Sequence, residues 1–64
     1  MEKGTRVIAK DYKGRELLRV VWEDVGRGML LCTVEEYDRV QREGCEPVTL
    51  GFPHQDVRPE GPLG

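Results

Sequence analysis

The sequence predicts a small α+β domain, mainly β: a strongly bent antiparallel sheet of four or five strands with one short helix across an open side. Three observations predict it. Residues 3–33 carry three strand-like apolar runs separated by two glycine-bearing turns. From Thr33 to Gly44 the apolar spacing changes from two to three. Beyond Pro47, a short uncharged run, a turn and a brief closing run return to the strand pattern. So many short strands in one small chain hide their apolar faces only by curling into a small barrel or by taking cover under a helix.

Each element follows from its residues. In the first strand Val7 and Ala9 alternate with Arg6, Ile8 and Lys10, the period-two signature that places Val7 and Ala9 inward. Asp11-Tyr12-Lys13-Gly14-Arg15 then makes a hairpin connection, with Gly14 free to take the positive φ that such turns require. The second strand is apolar on both parities: Leu18, Val20 and Trp22 lie on one side, Leu17 and Val21 on the other beside Arg19. One side joins the main core and the other needs a separate cover. The third strand repeats the pattern, with Leu30 and Cys32 opposed to Met29 and Leu31.

Thr33-Val34-Glu35-Glu36 fits a capping box, with Thr33 capping and Glu36 reaching back. Val34, Tyr37 and Val40 form the apolar stripe of the helix that follows, and Glu35–Arg39 and Asp38–Arg42 are predicted as its i,i+4 pairs. Gly44 is placed to end it in a left-handed conformation. About ten residues of helix do not stand alone, so this one covers the sheet. Val48–Phe52 reads as a fourth strand, Pro53–Asp56 as a turn or single 3₁₀ turn, and Val57-Arg58 as a brief fifth strand.

The chain has 64 residues. At that size folding buries only about 60% of the extended chain's surface, so stability is modest. Residues 1–58 are read as one domain and 59–64, with two prolines and no periodicity, as a flexible tail. Met1-Glu2-Lys3-Gly4 is polar where a secretory leader is apolar, and no run approaches the roughly 20 apolar residues of a membrane span. The expectation is a cytoplasmic protein with Cys32 and Cys45 reduced. Charge is divided: residues 1–27 carry seven Lys/Arg against five Asp/Glu, and residues 28–64 three against seven. Overall acidity works against non-specific binding to phosphate backbones.

Gly4-Thr5-Arg6-Val7-Ile8-Ala9 followed by Lys13-Gly14 is similar to the opening of a KOW element, whose turn often contacts nucleic acid. With five strands and a 3₁₀ turn before the last, the chain resembles the SH3-like small barrels, KOW and Tudor-type modules among them. The resemblance implies a barrel architecture and a binding role. The chain departs from it at Glu16-Leu17, where a second glycine is expected, and in having a helix between the third and fourth strands. No functional residue is carried over.

The leading binding candidate is the basic set Arg6, Lys10, Lys13, Arg15 and Arg19 with Tyr12 interleaved, an arrangement suited to phosphates and a stacked base. Asp11, Glu16, Glu23 and Asp24 in the same hairpin oppose that reading, and solvated charges that guard a sheet edge are the plainer account. Tyr12, Trp22, Tyr37 and Phe52 are candidates for an aromatic groove, although Trp22 and Phe52 are needed for the core and only Tyr12 reads as exposed. Neither Cys32 nor Cys45 belongs to a close pair, so no metal is expected from Cys32, Cys45, His54 and Asp56. His54 is the only histidine, with Asp56 as its local partner, and there is no serine. The reading is therefore a non-catalytic interaction domain without cofactor, binding another protein or a copy of itself; the alternative is a nucleic-acid-binding barrel using the basic hairpin.

Overall fold

The computed structural model describes residues 2–60. The elements are β1 (Arg6–Lys10), β2 (Glu16–Asp24), β3 (Met29–Cys32), α1 (Val34–Glu43), β4 (Leu50–Phe52), a 3₁₀ turn (His54–Asp56) and β5 (Val57–Pro59). The five strands form one open antiparallel sheet in the order β4-β3-β2-β1-β5. The protein is thus a small α+β domain, mainly β. Among the described residues no helix is long and apolar enough to cross a membrane.

The two faces of the sheet are buried by different means. Val7 and Ala9 are fully buried, as their alternation predicts, and join Val21, Met29 and Leu31 in one core cluster against which Phe52 and Val57 pack. On the opposite face Val20 and Cys32 are also buried, on the side where α1 lies against β2. Burial pushes the Cys32 thiol pKa upward. Val40 is the buried residue of α1, and the Tyr37 ring meets Trp22 edge-on with centroids 6.4 Å apart. The apolar-on-both-parities character of β2 therefore reflects two covers, core on one side and helix on the other.

The β2–β3 register shifts between Val21 and Glu23, so Trp22 is the extra residue of a bulge. Instead of entering the main core, Trp22 is half-buried on the helix side, with the Lys3 ammonium 3.9 Å from the centre of its ring. The alternating pattern gives no hint of this shift, because a bulge changes pairing without changing composition.

Several local expectations are corrected. Thr33 caps α1 by accepting from the Glu36 N–H, but the Glu36 carboxylate does not close a capping box. It accepts instead from Arg39 and, at 2.7 Å, from the Val48 N–H twelve residues away. Arg39 pairs with Glu36 and Glu43 rather than with Glu35, and the Asp38–Arg42 pair is replaced by exposed side chains without that contact. With Val48 tied to the helix, β4 starts only at Leu50. At the other end β5 runs to Pro59, opposite Val7, and the Glu60 N–H bonds the Arg6 carbonyl, so residues 59 and 60 belong to the sheet margin rather than to a tail. Residues 61–64 of the expected tail lie outside the described residues.

The Glu36 carboxyl has an ordinary value of 4.5 and is held at about 2 by the Arg39 hydrogen bonds first and the Val48 N–H second. A lowered carboxylate pKa stabilises the fold above the unfolded value, and that contribution disappears as pH falls through the folded one. Glu36→Gln is accordingly expected to lower the melting temperature near neutral pH and to flatten its decline between pH 4.5 and about 2. Thermal melts of both proteins across that window check it; parallel curves would mean the carboxylate contributes nothing to the helix–β4 link.

Candidate interaction groove

The hairpin turn between β1 and β2 is organised by Asp11. Its carboxylate accepts from the Lys13 and Arg15 N–H groups at 2.9 Å each and from the Arg15 side chain at 3.0 Å. These bonds, that of the Arg15 N–H foremost, hold the Asp11 carboxyl below its usual range. Gly14 closes the turn at φ 81°. The result projects Tyr12 outward, 91% exposed, with the Lys13 ammonium 5.7 Å from its ring centre.

The structure divides the six sequence candidates: Lys10, Tyr12 and Arg19 line one hollow, and Arg6, Lys13 and Arg15 do not. Arg6 and Lys10 are exposed on β1, on the face opposite Val7 and Ala9. Arg19 stands opposite Val7 in the β1–β2 register, hence on the core face. Arg15 is engaged by Asp11, and Arg58 on the neighbouring β5 by Glu16. Tyr12 and Lys13 occupy the turn between these faces. Two acids of the hairpin, Asp11 and Glu16, are thus paired with arginines.

What the fold does assemble is a groove. A hollow of about 410 Å³ opens on the core face between the hairpin turn and β4, lined by Tyr12, Leu17, Arg19, Leu50, Phe52 and Pro53 together with the charged Lys10, Asp11 and Asp56. A smaller hollow of about 180 Å³ continues past Arg19 and Leu50 toward Val48 and Glu36. Leu50 is 63% and Val48 76% exposed, so the wall contributed by β4 and the segment before it is apolar and open. Leucine, valine and tyrosine left in water side by side are a better sign of a contact surface than singly exposed apolar residues are.

The two sheet edges differ in the same sense. Edge strand β5 carries Arg58 and ends in Pro59, which has no N–H to offer a further strand. Edge strand β4 is Leu50-Gly51-Phe52, without charge or proline, and among the described residues β3 is its sole strand neighbour. The edge left open to pairing is thus the one that borders the groove.

Two further sets of residues prove structural in placement. His54 does not bond Asp56; its Nε2 lies 2.9 Å from Asp24 Oδ1, pinning the 3₁₀ turn to the end of β2. The Gly26 N–H and this contact, in that order, hold the Asp24 carboxyl below its usual range. Arg39 Nη1 donates to Cys45 Sγ at 2.8 Å, while Cys32 is buried in β3. Among the described residues no three His, Cys, Asp or Glu side chains gather as a metal cluster would. No family model, curated protein or solved structure matches the chain.

Proposed function

We propose that this domain is a non-catalytic interaction module that holds a segment of another protein chain in the groove between the hairpin turn and β4. The observation that carries the reading is the exposed apolar wall of Tyr12 and Leu50 along a groove of about 410 Å³, within the range of ligand-binding clefts. Groove and open edge together suit an extended chain, which gains main-chain hydrogen bonds from an edge strand and side-chain pockets beside it. We further infer an SH3-like architecture, supported by the order β4-β3-β2-β1-β5 and the 3₁₀ turn that precedes β5. The basic residues favour a nucleic-acid surface less, since Arg15 is engaged by Asp11, Arg19 faces away from Arg6, and Asp11 and Asp56 line the hollow beside Lys10 and Arg19.

The test is a display library of short random peptides panned on the purified protein, with binding of the recovered peptides measured by fluorescence anisotropy. Tyr12→Ala and Leu50→Asp alter exposed side chains, so each is expected to keep the fold and weaken binding by about tenfold, the loss of roughly 1.4 kcal/mol at a contact residue. Light scattering over a concentration series reports whether the bound chain is a second copy. Oligonucleotides that bind at low salt to a protein recovering no peptide would replace this reading with the nucleic-acid one.

A further inference from the structure

From the position of Arg19 we infer the chemistry of the segment: an extended peptide carrying an aspartate or glutamate between apolar residues, its carboxylate meeting the Arg19 guanidinium. This rests on the groove being a peptide site. Arg19 is half-buried and lines both hollows, so it stands midway along the groove. Leu17 and Phe52 flank it on one side and Val48 on the other, with Leu50 common to both. Among the described residues it has no carboxylate partner; its Nη1 donates to the carbonyl of its own neighbour Leu18 at 2.8 Å.

Arg6, Arg27 and Arg42 also have no carboxylate partner among the described residues, but all three are exposed, so Arg19 is the one half-buried arginine without such a partner. Arg15, Arg39 and Arg58 each lie within 3.0 Å of a carboxylate. The acids nearest the groove are committed elsewhere: Asp11 to Arg15 and the turn, Glu36 to Arg39 and Val48. Asp56 and Lys10, of opposite charge, both line the larger hollow. A guanidinium among apolar walls retains donors that a single carbonyl does not satisfy, and a carboxylate takes them in the bidentate fork for which arginine is shaped. Apolar hollows on both sides of Arg19 then select the residues next to the acid.

The experiment pans one random peptide library in parallel on wild type, Arg19→Gln and Arg19→Glu, after circular dichroism has established that each is folded. Wild type is expected to enrich Asp or Glu at one position between apolar residues. Arg19→Glu is expected to replace that acid by Lys or Arg at the same position, and Arg19→Gln to bind the wild-type peptides about tenfold more weakly with no charge preference. Peptides recovered without an acidic position, or one consensus shared by all three proteins, overturn this inference and leave the groove reading standing. Recovery of no peptide by folded wild type overturns both.

Discussion

Leu31→Ala is expected to lower the thermal midpoint by about 10–40 °C. Leu31 is 1% exposed and is the largest of the fully buried side chains. The register places it between Val21 on β2 and Leu50 on β4, so it touches both walls of the bent sheet. Truncating a buried leucine costs about 2–5 kcal/mol through lost burial and the cavity left behind. A domain of this size has only about 3–10 kcal/mol in total, and each kcal/mol moves the midpoint by about 4–8 °C. Leu18→Ala provides the internal comparison, since Leu18 is 37% exposed on the opposite face and is expected to cost only about 1 kcal/mol. Melts and denaturant titrations of the two variants decide the matter. Equal losses would mean that the core does not centre on β3.

How far the sequence anticipates this molecule depends on the range of the interaction. Val7, Ala9, the Gly14 turn, the Thr33 cap and the Gly44 terminus are all legible, because each is decided within a few residues by period two, by a positive φ or by one capping hydroxyl. Interactions across the fold are not legible. Glu36 looks like half of a capping box and instead holds Val48; His54 looks like the partner of Asp56 and instead meets Asp24, thirty residues away. In both cases the local pairing is the nearest available in sequence, and the fold supplies a closer one in space.

The groove is the clearest example. Arg19 is named by the hairpin's composition as a member of a basic surface, and Tyr12 both there and, with Phe52, as part of an aromatic groove; of that aromatic set only Tyr12 and Phe52 line the hollow. Val48 and Leu50 read as residues of an ordinary fourth strand, and their exposure goes with the tie of Val48 to α1 and the place of β4 at the sheet edge. A strand with no charge, no proline and half-exposed apolar residues becomes conspicuous only once its edge position is known. Charge has the same lesson. Counting lysine and arginine along the hairpin gives a basic excess, whereas the register sends Arg19 to one face and Arg6 to the other, and Asp11 and Asp56 share the hollow that Lys10 and Arg19 line.

Gly28→Ala is expected to damage both the fold and the groove, and for a reason that separates it from the other turn glycines. A Cβ at Gly28 would lie 2.7 Å from the Phe52 carbonyl oxygen, a main-chain atom that moves only if β4 moves. Gly28 has no positive φ, so its requirement is the close approach of the β4 backbone rather than an unusual conformation. Gly14 is the converse: φ is 81° and nothing stands within 4 Å of the added carbon. Alanine at Gly14 is therefore expected to cost about 1–2 kcal/mol of conformational strain while leaving the β3–β4 pairing intact. At Gly28 the contact must be relieved by displacing Phe52, which pairs with Met29 and packs against the core, at a cost of about 1–3 kcal/mol or more. The two variants are thus close in stability and opposite in consequence for the site. Amide exchange at β4 and affinity for a groove peptide distinguish them: Gly14→Ala retains slow exchange and binding, and Gly28→Ala loses both. Were Gly28→Ala to keep protected β4 amides and full affinity, β4 would not form the groove wall, and the reading of Leu50 as a contact residue would fall with it.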